Sequence, residues 1–165
     1  MRKVMRTAAV AWVVALFCVP LAGAQAIAIG VHTSGVAQAV QNPACAIAFT
    51  ITGLGNDPRP GFSEVWTVSE CVQAVTPNAD GTQSYSGVVA FTDSSGSSVF
   101  ASLSGILMVT HTGDLWFKSG TGRVTAGTGV YAGKFGAVRG RGFVSFTHPV
   151  QLFTGLTFIM GLVVN

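Results

Sequence analysis

Charge is what this chain has least of. Asp, Glu, Lys and Arg make up 9% of its 165 residues, and His occurs three times. So sparse a supply of ligating side chains argues against a metal centre, and two of the three cysteines, Cys45 and Cys71, lie too far apart to form a C-x-x-C clip. No Ser sits in a nucleophile elbow, and no His/Asp pair can be set beside one by spacing. No strand, G-x-G-x-x-G and helix follow one another, so a dinucleotide fingerprint is missing and no cofactor is implied. Beyond residue 26 no apolar run reaches the roughly 20 residues that a membrane-spanning helix needs. The longest, Leu152 to Val164, is broken by Thr154, Gly155, Thr157 and Gly161 and reads as a buried closing strand. No segment of ten residues has a convincing amphipathic helical period.

What is present begins with an export signal. Arg2, Lys3 and Arg6 form a basic head, Ala8 to Val19 an apolar stretch, and Ala24-Gln25-Ala26 or Ala22-Gly23-Ala24 a small-residue cleavage site. Residues 1–26 therefore read as a cleaved secretory signal and 27–165 as one domain, periplasmic or extracellular. Phe17, directly before Cys18, opposes lipid anchoring there. Without the signal the chain has six acids and six bases, so its basic balance belongs to the precursor and nucleic acid is not an expected partner. The acids fall between Asp57 and Asp114, whereas Lys118, Arg123, Lys134, Arg139 and Arg141 crowd into one later stretch. That stretch reads as a solvated barrel rim, or else as a site for an anionic group. In an oxidising compartment Cys45 and Cys71 pair by default, closing a loop worth on the order of 3 kcal/mol.

Glycine carries the architecture. Eight of the 23 residues from Gly120 to Gly142 are glycine, interleaved with Val, Tyr and Phe. Each costs a helix about 1 kcal/mol relative to Ala, whereas turns, bulges and close backbone approaches favour it. Strand-like runs separated by turn signals fill the rest: Ala46–Thr52, Phe62–Val68, Ser84–Thr92, Val99–Thr110, Leu115–Lys118, Arg123–Ala126, Phe143–Thr147 and Val150–Val164. Turns are expected at Thr76–Thr82, Asp93–Ser97, His111–Asp114 and Ser119–Gly122, and Val36–Gln41 reads as a short helical turn. About eight strands with short connections predict an all-β fold, a single antiparallel barrel or sandwich.

The phrase Gly127-Thr128-Gly129-Val130-Tyr131-Ala132-Gly133, followed by Gly136, Gly140, Gly142 and the strand Phe143–Thr147, resembles the glycine signature of the allene oxide cyclase and dirigent-type barrels. The match spans about 25 residues. It implies a single eight-stranded antiparallel barrel with a largely apolar interior, often a homo-oligomer, in which these glycines and Tyr131 form a turn and corner. In the plant members such a barrel cyclises an unstable fatty-acid epoxide or steers radical coupling, but their cavity residues have no counterparts that align here.

Candidates for chemistry are few. Glu64 and Glu70 lie six apart on the Trp66 strand, an even spacing that puts both on one face. The simpler reading is a solvent face. A lumenal one would set two carboxyls in apolar surroundings, where burial raises a carboxyl pKa and makes a general acid. Trp66, Trp116 and Phe117 are the candidate ligand-binding aromatics, among Phe49, Phe91, Phe100, Phe143, Phe146, Phe153 and Phe158. His32 reads as part of a mobile end, and His111 and His148 as turn residues. The expectation is an exported barrel that binds a small apolar or amphipathic molecule or acts as an interaction module, without catalysis. An isomerase or cyclase holding an apolar substrate, and a structural assembly subunit, are the alternatives.

Overall fold

The computed structural model describes residues 25–56, 65–152 and 154–164. The expected signal up to residue 24, Phe62, Glu64 and Phe153 lie outside the described residues. Nine strands form one antiparallel sheet: β1 (Gln25–Thr33), β2 (Gln38–Ala39), β3 (Ile47–Asn56), β4 (Val65–Pro77), β5 (Gln83–Asp93), β6 (Ser98–Val109), β7 (Leu115–Gly127), β8 (Phe135–Val144) and β9 (Thr157–Val164). The order is β1-β9-β8-β7-β6-β5-β4-β3-β2, and β1 also pairs with β3 from Gly30↔Asn56 to Thr33↔Gly53. That pairing closes an eight-stranded barrel, with β2 as the extra strand. The expected disulfide is present: Cys45, just ahead of β3, bonds to Cys71 on β4, with Cα atoms 5.3 Å apart.

Three hairpins share one turn geometry. In Asn78–Thr82, Asp93–Ser97 and Thr110–Asp114 the first N–H donates to the carbonyl of the fifth residue at 2.8–2.9 Å. The fourth residue is glycine in each, with φ of 80°, 84° and 85° at Gly81, Gly96 and Gly113. A side chain rarely tolerates that backbone, so the glycine sets the turn. Polar side chains complete it: Asp93 accepts from the N–H groups of Ser95 (2.9 Å) and Ser97 (3.0 Å), and Asp80 accepts from that of Thr82 (3.0 Å).

Elsewhere the structure departs from the expected elements. Val36–Gln41 is extended, because the N–H groups of Ala37 and Val40 donate to Ser145 and Ala48, and Gln38–Ala39 pair with Thr50–Phe49. Partners supplied by the fold override a weak local helical tendency. Ser119–Gly122 is no turn but a bulged stretch of the continuous strand β7. The glycine run divides in two. Gly127, Gly129 and Gly133 border the corner, where Gly129–Tyr131 makes one 3-10 turn, whereas Gly136, Gly140 and Gly142 lie inside β8. That strand starts at Phe135, not Phe143, and ends at Val144. Ser145 then accepts from the N–H groups of Thr147 (3.2 Å) and His148 (3.0 Å), turning the chain away. The last strand starts at Thr157, not Val150, and buries one face only. His32 is paired within β1, opposite Leu54 and Thr157, not in a mobile end.

Alternate residues of the eight barrel strands point inward and form a single core. Its large rings meet across the lumen, Phe91 on Phe158 at 4.8 Å and Trp66 on Tyr131 at 5.7 Å between centroids. The glycines make room for them. A Cβ at Gly140 would stand 2.6 Å from the Phe158 ring, and one at Gly120 would run into the Tyr85 hydroxyl. Gly140→Ala should therefore cost about 1–3 kcal/mol through overpacking. Gly161→Ala, on β9 with nothing within 4 Å of the added carbon, should stay within about 0.5 kcal/mol. Urea unfolding of the two variants checks the contrast.

Candidate functional site

Strand β4 alternates cleanly at its start: Trp66, Val68, Glu70 and Val72 are buried, while Val65 and Thr67 are exposed. Glu70 shares the phase of the core residues, so its carboxyl enters the barrel rather than facing solvent. Its residue is 3% exposed. The strand partners of Glu70 are Phe49 on β3 and Val89 on β5, both inward-facing. Phe49 leads into a lower aromatic layer, with Phe117 at 6.2 Å, Phe146 at 6.0 Å, and Tyr85 on Phe117 at 5.2 Å. Further along β4, towards the 3-10 turn, stand Trp66 and Tyr131. The carboxyl is thus held between two aromatic layers.

Neither carboxyl oxygen of Glu70 has a hydrogen-bond partner among the described residues. Other buried polar side chains do. Thr33 donates to the Leu156 carbonyl and accepts its N–H, both at 3.0 Å. Asp93 and Ser97 complete a hairpin turn, and Asp114 accepts from Thr112 (2.8 Å) and from the Phe146 N–H (3.3 Å). Those bonds hold the Asp114 carboxyl below its ordinary pKa, the Thr112 hydroxyl contributing most. Glu70 has only burial acting on it, and burial pushes its pKa to about 8. Tyr85 is raised as well, first by its own burial and then by the nearby Glu70 charge.

The structure gathers Glu70, Trp66 and Phe117 in the lumen and puts Trp116 outside. Trp116 is 46% exposed, with the Lys118 amine 5.4 Å from its ring centre. Tyr85 and Phe49 join the lumenal group although spacing did not single them out. Their phase could have done so, since Tyr85, Val89 and Phe91 share one face of β5 and Phe49 and Ile51 one face of β3. The basic stretch forms no rim: Lys118, Arg123, Arg139 and Arg141 lie along the outer walls of β7 and β8. Among the described residues no three His, Cys, Asp or Glu side chains come together as a metal-holding group.

Comparison with known proteins leaves the site to be read from its own geometry. No family model, curated protein or solved structure matches this chain.

The arrangement offers a carboxyl that stays protonated at neutral pH, able to donate one hydrogen bond and accept others in apolar surroundings. It also ties stability to pH. The unfolded carboxyl titrates near its ordinary 4.5 and the folded one near 8, so the folded state holds the proton more tightly. Its contribution is whole below pH 4.5 and is lost as pH rises through 8, by up to about 5 kcal/mol. Urea midpoints should therefore fall between pH 5 and 8.5, and Glu70→Gln, which cannot ionise, should flatten that fall. A wild-type midpoint independent of pH would mean that the carboxyl reaches water.

Proposed function

We propose that this is an exported, non-catalytic binding protein whose barrel takes a small apolar or amphipathic molecule with one hydrogen-bonding group, anchored by Glu70. The observation that carries the reading is the carboxyl itself, buried between aromatic layers with both oxygens unbonded among the described residues. Burying such a group without a partner costs roughly 2–7 kcal/mol, a cost that a bound polar group would offset. Val68, Val89, Phe49 and Phe117 would contact the apolar body of the ligand. Entry would be at the end where Phe146, only partly buried, packs on Phe49. Export fits the Cys45–Cys71 disulfide. The barrel agrees with the shape implied by the resemblance to allene oxide cyclase and dirigent-type proteins.

A second reading, an isomerase or cyclase, rests on the same carboxyl, because an acid with a pKa of about 8 can donate a proton at neutral pH. It differs in requiring turnover of the bound molecule.

Native mass spectrometry of the oxidised chain should reveal a non-covalent adduct lost on denaturation. The uncharged fluorophore N-phenyl-1-naphthylamine should bind and weaken about tenfold from pH 6.5 to 9.5, a difference of about 1.4 kcal/mol. Glu70→Gln should bind without that pH dependence. Bare chain mass together with probe binding unchanged in Glu70→Leu would overturn the proposal.

A further inference from the structure

The outer wall formed by β7, β8 and β9 carries charge of one sign. Lys118 and Arg123 project from β7, and Arg139 and Arg141 from β8; all four are exposed. Among the described residues the carboxyls lie elsewhere, Glu70 in the lumen and Asp80, Asp93 and Asp114 in hairpin turns. Register sets Arg139 between Thr121 and Ile159, and Arg141 beside Thr157. Lys118 lies in the bulge between Phe117 and Gly120, which faces Gly142 to Gly140 and therefore Arg141. Like charges so placed repel. Their local relief is slight: Lys118 rests over Trp116 and is felt weakly by Asp80, whose own carboxylate is held chiefly by Thr82.

Two hollows adjoin on this wall. One, of about 510 Å³, is lined by His32, Trp116, Lys118, Arg141, Thr154 and Thr157 among others. The second, of about 420 Å³, adds Ser119, Thr121, Arg139 and Ile159. They share Lys118, Arg141 and Thr157, so together they form one trough along β8. Arg139 and Arg141 stand two residues apart, about 7 Å along β8, with Lys118 across from Arg141. Thr121 and Thr157 lie beside them, and the Trp116 indole stands at one end.

We propose that this trough binds an acidic polysaccharide, a polyuronate whose carboxylates meet Lys118, Arg139 and Arg141. The threonine and serine hydroxyls match sugar hydroxyls, and the Trp116 face turned away from Lys118 would cover the C–H face of one ring. An anionic bilayer fits less well, because these cations line a hollow instead of standing around a projecting apolar tip. Single-stranded nucleic acid calls for several stacking rings, and the trough holds one.

Calorimetric titration of the oxidised chain with hexagalacturonate at 20 mM salt tests the assignment, with uncharged maltohexaose for comparison. Hexagalacturonate should bind, weaken at least tenfold at 200 mM salt, and outcompete maltohexaose. Arg139→Gln/Arg141→Gln should lose at least tenfold in affinity with its urea midpoint unchanged, and Trp116→Ala several-fold. Arg123→Gln/Lys134→Gln removes the same charge outside the trough and should stay within threefold of wild type. Absence of hexagalacturonate binding at 20 mM salt would overturn the proposal. So would equal losses in the two double variants, or tighter binding to phosphatidylglycerol vesicles or oligo-dT. Glu70→Gln should bind hexagalacturonate normally, which separates this site from the lumen.

Discussion

The capacity of an eight-stranded barrel is the constraint on which this structure depends. Such a lumen is just wide enough to be filled by its own side chains or to hold one small ligand. Here it must take Trp66, Tyr131, Phe49, Phe91, Phe117 and Phe158, all but fully buried. Where such rings press on the wall, it is bare backbone: Gly140 lies under Phe158, Gly120 under Tyr85, and Gly55 under the Trp66 indole. The other β8 glycines, Gly136 and Gly142, instead let neighbouring backbone come close.

Within that packed interior Glu70 is the exception. No described residue hydrogen-bonds its carboxyl, and burial keeps it neutral. The outer wall inverts the arrangement, with exposed charges of one sign. Among the described residues, one polar group inside lacks a hydrogen-bond partner in an apolar medium, and outside several cations lie along one trough away from the carboxyls.

Much of the fold could be read from the chain. The three glycine-fourth hairpins, the disulfide and the antiparallel sheet follow from turn chemistry, cysteine arithmetic and alternation, whereas its closure into a barrel was implied only by the glycine signature's resemblance. Boundaries around glycine did not follow. At Ser119–Gly122 and 136–142 it signals close approach to another strand or a ring, and nothing local distinguishes that from a turn. Val36–Gln41 misled for a related reason, because its backbone partners lie outside its own segment, Ser145 far along the chain and Ala48 and Thr50 on β3. The even spacing of Glu64 and Glu70, the first of which lies outside the described residues, could not say which face is wet. For Glu70 the buried phase of Trp66, Val68 and Val72 decided it. The basic wall was visible as composition, and only register turned it into a trough.

The seam of the barrel also says something about how it must be made. The first strand, Gln25–Thr33, lies between the last strand and four residue pairs of β3. Chain synthesis runs from the amino end, so β1 waits for almost the whole sequence before β9 exists to cover it. Meanwhile β4 to β7 can zip through their short hairpins. Assembly is then a matter of order: a local meander first, the long-range clasp of the two termini last. Until that clasp forms, Ile27, Ile29 and Val31, buried in the closed barrel, stand on an unpaired apolar strand.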